Sequence, residues 1–294
     1  MSKMKQLLRI FPEIPDGCHE SYLKGVYLFK ETKHIPRKPV VYNPGICIIF
    51  QGYKVGHLND HQFRYDEKNY LVTSVTMPIE CEVFATPEEP LRGLYIDIDM
   101  NQLLDLISQT GIPANTIVEE DSDLPRAIGP AVMNEEMLDA VTRLIICLQS
   151  ETESRILGSG LLREILYRVL SGTQAPVLHS IATNSCTFSR VVKVLNIMQN
   201  SYWEKLNVEQ LANSAALSVS AFHRAFKEIT SDSPIQYLKK IRLTKAKEFL
   251  IQEKIKASAA ADKVGYESFS QFSREFKRYF GHSPAEMMKE INAG

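Results

Sequence analysis

The last third of this chain repeats itself. Ser220, Phe222, Arg224, Phe226, Lys227, Ser233 and Pro234 recur as Ser270, Phe272, Arg274, Phe276, Lys277, Ser283 and Pro284, seven identities at a constant offset of 50 residues. The upstream halves align with a shift of one: Ala212 and Ala216 lie four apart, as do Ala261 and Gly265. Such a register marks two copies of one supersecondary unit. Each copy reads as a short helix, a tight turn and a second helix. In the first, Asn207 caps a supporting helix over 208–215, the turn is Ala216-Leu217, and Ser218 caps a helix running to about Ile229. In the second, the supporting helix covers 257–264, the turn is Gly265-Tyr266-Glu267, and Ser268 is the cap.

Between the copies, 234–252 reads as one amphipathic rod with Pro234 at its first helical position. Ile235, Leu238, Ile241, Ala246, Phe249 and Leu250 form its apolar face, and Lys239, Lys240, Arg242, Lys245 and Lys247 the other. At a rise of 1.5 Å per residue the rod spans about 30 Å. That is close to the roughly 34 Å between successive major-groove faces of B-DNA. Two recognition helices one turn apart on one side of a duplex are therefore expected.

Phe222 and Phe226 lie at i and i+4, so both point inward. Ser220, His223, Arg224 and Lys227 are left facing out. In the second copy Phe269, Phe272 and Phe276 face the core or its rim, leaving Ser270, Gln271, Ser273, Arg274 and Lys277 outside. Arg bonds guanine bidentately and Gln does the same with adenine. Lys supplies phosphate contacts that set register, a role expected here also for Lys240 of the rod. Charge agrees: from Val177 onward there are 17 Lys+Arg against 11 Asp+Glu, and the remainder holds 17 against 24. The basic end is the one suited to a polyanion.

The front half reads differently. Val26-Tyr27-Leu28-Phe29, Ile46-Cys47-Ile48-Ile49-Phe50, the run 70–75 and Leu94-Tyr95-Ile96-Asp97-Ile98 are β-branched or aromatic, punctuated by Pro36, Pro39, Pro44-Gly45, Gly52, Pro78 and Pro87. Short strands between turn signals imply a small barrel or sandwich over about 20–100. From about 100 to 171 apolar residues recur at helical spacing, as in Met137, Val141, Leu144, Ile145 and Leu148. These helices are expected either to cover the barrel or to form a dimerisation hairpin over 133–171. The aperiodic Gly, Pro and small polar residues of 172–187 mark a linker. The expected class is α+β. Residues 1–175 form a regulatory domain, 176–188 a linker and 189–294 an all-α DNA-binding domain. Within the last, the helix-turn-helix units cover about 207–229 and 257–280, joined by the helix 234–252.

Other chemistries find little support. Cys18, Cys47, Cys81, Cys147 and Cys186 are odd in number and scattered, with no C-x-x-C pair. That speaks against a disulfide scaffold or zinc site and for a reducing cytoplasm. As sensors of oxidant or electrophile, Cys47 and Cys81 in strands are the candidates; as bland residues they are small hydrophobes. His57 and His61 are four apart in a turn-and-strand segment, which does not meet a cupin metal set. There is no G-x-S-x-G, Walker loop or G-x-G-x-x-G, and the acidic runs Glu119-Glu120-Asp121 and Glu135-Glu136 read as solvated loop and helix starts. No apolar run approaches the roughly 20 residues that span a bilayer. The expectation is a cytoplasmic, non-enzymatic protein with no cofactor, no metal and no membrane partner.

At 217–227, 233–238 and 263–284 the sequence resembles the AraC/XylS family of bacterial transcription regulators; the last stretch, Lys-Val-Gly-Tyr-Glu-Ser-Phe-Ser-Gln-Phe-Ser-Arg-Glu-Phe-Lys-Arg-Tyr-Phe-Gly-His-Ser-Pro, is the most specific. The resemblance covers about 190–291 and implies two recognition helices in adjacent major grooves. It carries base-facing positions onto Ser220, His223 and Arg224, and onto Ser270, Gln271, Ser273 and Arg274. Phe269 also falls at a family contact position, where an aromatic either touches a thymine methyl or packs. The family usually has Gly where Ala216 stands, so a turn needing positive φ costs more here. Ala257 and Ala260 replace larger aliphatics, which thins the second core. Phe50-Gln51-Gly52-Tyr53-Lys54, Val75-Thr76-Met77-Pro78-Ile79 and Thr86-Pro87-Glu88-Glu89-Pro90 are similar to the cupin-like N-terminal domain of one AraC-type subgroup. In the wider family such barrels bind small effectors or mediate dimers. The resemblance therefore implies a regulator modulated by an effector in the barrel, with RNA polymerase a further partner if it activates. Two alternatives remain at this point: a DNA-binding protein whose front domain only dimerises, and a cupin-like enzyme with a DNA-binding tail.

Overall fold

A computed structural model describes residues 3–59, 61–110, 127–182 and 187–293. Helix α1 (Lys3–Ile10) precedes ten strands: β1 (Gly17–Glu20), β2 (Val26–Glu31), β3 (Ile35–Tyr42), β4 (Gly45–Gln51), β5 (Tyr53–Leu58), β6 (His61–Asp66), β7 (Asn69–Thr73), β8 (Met77–Phe84), β9 (Leu91–Asp97) and, after α2 (Met100–Thr110), β10 (Ile128–Val132). They form one antiparallel sheet in the order β1-β2-β9-β4-β7-β6-β5-β8-β3, with β10 pairing β7. The sheet curls into a half-barrel: Tyr42 of β3 lies 6.3 Å, ring to ring, from Tyr95 of β9, and its hydroxyl is 2.7 Å from that of Tyr65.

The two faces of the sheet are buried against different things. Val26, Leu28, Ile46, Ile48, Phe50, Val72, Leu94 and Ile96 pack outward under α1, α2, α3 (Glu135–Cys147) and α4 (Glu151–Leu170). Phe29, Cys47, Ile49, Leu58, Tyr65, Leu71, Ile79, Cys81 and Val83 fill the inside. Central β4 is buried on both faces, which explains its unbroken apolar run. β3 carries Pro36 and Pro39 inside a strand, where the sequence suggested only turns. It sits at the edge of the sheet with a register shift between Ile35 and Lys38, the setting in which proline is tolerated. β10 is a strand inside the zone expected to be wholly helical, because it completes the unpaired side of β7.

The stretch expected to be an irregular linker contains a helix, α5 (Ala175–Ala182), with Leu178 and His179 buried. Residues 183–186, Cys186 among them, and the acidic run 119–121 lie outside the described residues. Then come α6 (Thr187–Asn200), α7 (Val208–Ser214), α8 (Val219–Thr230), α9 (Pro234–Glu248) closed by a π-helical turn over Phe249–Glu253, α10 (Ala257–Lys263), α11 (Phe269–Phe280) and α12 (Pro284–Ala293). The first unit's core (Leu195, Leu211, Phe222, Phe226, Tyr237) is continuous with the barrel interior. The second (Leu250, Ala260, Ala261, Phe272, Phe276) is a separate cluster.

Besides the shared core, hydrogen bonds to main-chain carbonyls join barrel and first unit. The Tyr237 hydroxyl donates to Thr76 O at 2.7 Å and accepts from the Gln199 amide at 2.9 Å. Asn59 donates to Ser231 O, and Ala127 N donates to Ile229 O at 3.3 Å. On the other side of the sheet, a cavity of about 350 Å³ opens between β2, β9, α2 and α4. Ile46, Ile96, Leu162 and Leu166 form its apolar wall, and Lys24, Tyr27, Asp97 and Gln102 its polar one. Burial raises the Asp97 carboxyl above its ordinary range, against the hydrogen bond from Tyr27. The barrel interior carries Tyr65, Cys47, Cys81 and their neighbours as buried residues. Burial pushes the Cys47 thiol up to about 11, so it stays protonated at neutral pH, contrary to what an oxidant sensor needs.

Candidate nucleic-acid interface

The second helix of each unit begins at a serine cap. Ser218 accepts from Ala221 N at 3.3 Å, and Ser268 accepts from Gln271 N at 3.3 Å. α8 and α11 are each 12 residues long. Phe222, Phe226 and Ile229 on one, and Phe272 and Phe276 on the other, are fully buried. Apolar residues at i, i+4 anchor each helix, so the residues offset from them must face water.

The outward positions match between copies. On α8 they are Ser220, His223, Arg224 and Lys227; on α11 they are Ser270, Ser273, Arg274 and Lys277, spaced i, i+3, i+4, i+7 in both. Ser220, Arg224, Lys227, Ser270, Gln271, Arg274 and Lys277 are exposed, and His223 and Ser273 half-buried. Phe269, 49% exposed, stands at the rim rather than in the core. Among the described residues no carboxylate pairs with Arg224, Lys227 or Arg274. Gln271 instead donates to Glu275 Oε1 at 3.2 Å, and Lys277 lies 3.6 Å from Glu286. Sequence reasoning passed over two exposed residues. Arg278 is four on from Arg274, so it continues the same face. Val219 is the repeat equivalent of Phe269, which the period of 50 alone would have found.

The rod departs from expectation. Its basic residues are engaged within the protein. Lys240 bonds both oxygens of buried Asp232 at 2.9 and 2.7 Å, Lys239 bonds Glu275 at 2.8 Å, Lys245 bonds Glu248 at 2.8 Å, and Lys247 lies over the Phe280 ring. Burial pushes the Glu275 carboxyl up, but bonds from Lys239, Tyr266 and Gln271 outweigh it and hold it below the usual range. Arg242 reaches three main-chain carbonyls. Lys240 is thus held by a buried carboxylate rather than left free on the polar face. Nor is Ile235 on the apolar face; it is exposed, and Tyr237 and Leu243 take that role.

The turns differ as the sequence suggested. Ala216 has φ +52° and Gly265 φ +79°. Each turn is held alike, by Leu217 N to Ala212 O and by Tyr266 N to Ala261 O, both at 3.0 Å.

No three His, Cys, Asp or Glu side chains converge on a metal position among the described residues, and no described helix is long and apolar enough to cross a membrane.

Known proteins bear on this geometry. A family model described as the AraC-type transcriptional regulator N-terminus matches residues 22–177, and one for a helix-turn-helix domain matches 211–290. The Msm operon regulatory protein of Streptococcus mutans is 25% identical over 216 residues, 71% of this chain and 76% of that protein. The HTH-type transcriptional activator RhaS of Escherichia coli is 28% identical over 156 residues, 53% of this chain and 55% of its own length. Among solved structures, ToxT of Vibrio cholerae with a bound unsaturated fatty acid superposes with a TM-score of 0.61, covering 96% of this chain and 99% of that one, at 11% identity. That likeness is one of fold.

Proposed function

The chain belongs to the AraC-type transcriptional regulators, a family that binds DNA, and from that premise we propose that α8 and α11 read two adjacent major-groove segments of one operator. The observation that carries the proposal is the matched polar face, i, i+3, i+4, i+7, on two helices whose opposite faces are buried phenylalanines. Arg224 and Arg274 are the principal base readers, because each extends from an exposed face with no carboxylate to hold it. Ser220, His223, Ser270, Gln271 and Ser273 complete the reading surface. Lys227 and Lys277 contact phosphate, and Phe269 touches a thymine methyl. Genomic fragments selected by the full chain would give the operator. Arg274→Ala should then cost about 1–3 kcal/mol at its own base pair and relax selectivity there. Lys227→Ala should weaken operator and random DNA alike. Equal losses on both DNAs for Arg274→Ala would contradict base reading.

The N-terminal domain supports two further roles. Ile146, Ile156, Leu157 and Tyr167 are exposed on α3 and α4, and space is open above Gly160 on the same helix. A second copy of the chain covers this face in a homodimer. A small effector occupies the cavity beneath α4, its aliphatic side on Ile96 and Leu166 and its hydrogen-bonding side toward Tyr27, Asp97 and Gln102. A cavity of this size suits a small molecule. Its position behind the dimer face lets one event bias the other. Solution mass of Leu157→Glu tests the dimer, and a shift in melting temperature across a metabolite panel, absent in Leu166→Trp, tests the cavity. The protein works where the chromosome is, in the cytoplasm, and as an activator it would also touch RNA polymerase; no catalytic role is assigned to it.

A further inference from the structure

The two reading units are joined by more than the rod. The loop between α6 and α7 leads into the first unit and docks on the turn of the second. Tyr202 packs against both the first unit's core and the second's. The Trp203 carbonyl lies so close to Gly265 that a Cβ there would stand 2.1 Å from its oxygen. Lys205 is 3.3 Å from Glu267 across the same seam. At its centre is Arg242 of α9. Its Nε donates to Tyr202 O at 2.6 Å, and its two terminal nitrogens donate to Glu204 O at 2.8 Å and Gly265 O at 3.2 Å. One guanidinium thus ties the rod, the first unit's entry loop and the second unit's turn. A planar fork of donors can address three carbonyls at fixed angles; the single ammonium of lysine cannot.

We propose that Arg242 is a positioning residue that fixes the separation and rotational phase of the two recognition helices, and so sets which spacing between operator half-sites this regulator accepts. It touches no DNA. The inference rests on the two-helix reading proposed above. A rigid pair of readers gains affinity from simultaneous engagement only at the matching geometry, and loses it when the spacing is wrong.

The test uses the full chain and its selected operator, rebuilt with one base pair added to or removed from between the half-sites, together with duplexes carrying one half-site alone. Wild type should lose about tenfold or more in affinity on either altered spacing. Arg242→Lys, which keeps the charge and stem, should bind the three spacings within about threefold of one another while its affinity for each single half-site is unchanged. The single half-site also reports that the variant is folded. Arg242→Gln is the second variant and should behave likewise. Variants that bind half-sites as wild type does and keep its full spacing preference would overturn the proposal, as would a wild type indifferent to spacing. A wild type that selects no operator at all would sink the two-helix reading itself, and this inference with it.

Discussion

In the first reading unit the left-handed backbone positions fall on Ala216 and Ser231; in the second the corresponding positions are Gly265 and Gly281. A side chain with a Cβ in that conformation costs about 1–2 kcal/mol. The strained unit is the one the barrel supports. Ser231 O accepts from Asn59, Ile229 O from Ala127 N, and Thr76 O from Tyr237, and its core merges with the barrel interior. The second unit has glycine at both of these positions, although Lys254, in the turn that leads into it, is also left-handed, and it has a core of its own. The difference teaches that a duplicated motif can share its outward polar face while drawing its stability from different places. The front domain touches both halves, the first through these hydrogen bonds and a shared core, the second where α11 meets β3.

The sharpest way to break this comparison is Gly265→Ala. In the second unit the added methyl meets both a positive φ and the Trp203 carbonyl, so the loss should be about 3 kcal/mol or more, seen as a lower melting temperature and loss of operator binding. Gly281→Ala is its control. Nothing lies within 4 Å of the new methyl there, so only the backbone term applies, about 1 kcal/mol. If the two variants melt alike, the Trp203 contact is not what makes Gly265 necessary.

Tyr237→Phe probes the first unit's dependence on the barrel. It leaves Thr76 O and the Gln199 amide without their shared partner, at a cost of about 1–3 kcal/mol. Hydrogen exchange should rise in α8 and α9 and stay unchanged in α11. A uniform rise over both units would mean that they are not stabilised separately.

Ala216→Gly should act the other way by a smaller amount. Relief of the left-handed strain is partly offset by the greater freedom of glycine in the unfolded chain, leaving a gain of at most about 1 kcal/mol. A destabilised Ala216→Gly variant would show that the first turn is not strained.

The smallest effect belongs to pH. The folded-state pKa of Glu275 is lowered, so the carboxylate's bonds to Lys239, Tyr266 and Gln271 stabilise the second unit above the ordinary glutamate pKa. That contribution is lost as pH falls through the depressed value. In Glu275→Gln, the acid limb of the stability curve should be shallower; an unchanged limb would remove Glu275 from this role.

Much of the outward polar face of α8 and α11 was legible in the sequence because it follows from periodicity. Phenylalanines four apart define a buried line, and what remains on a helix of known phase must be outside. The turn at Ala216 was legible for the same local reason, since the repeat places it opposite a glycine. The edge strand β3 was not, because its prolines read as breakers until the sheet shows that one side of the strand needs no partner. The internal partners of Lys240 and Arg242 were not legible either. A basic residue on a polar helix face reads as solvated or phosphate-bound unless the carboxylate or carbonyls that meet it are known, and Asp232, Tyr202 and Gly265 are brought there by other elements.

By itself, the sequence determined the duplicated helical unit, the caps and turns of each recognition-helix candidate, and which side chains face away from each core, since all of these depend on residues within about two helical turns of one another. Tertiary structure alone decided that the barrel leans on the first unit, that the rod's charges are engaged internally, that a cavity opens between the sheet's outer face and α4, and that Arg242 joins two units through three carbonyls. Each of those rests on groups tens of residues apart in the chain, and many of the partners are main-chain atoms, which every residue type carries and no sequence pattern can mark.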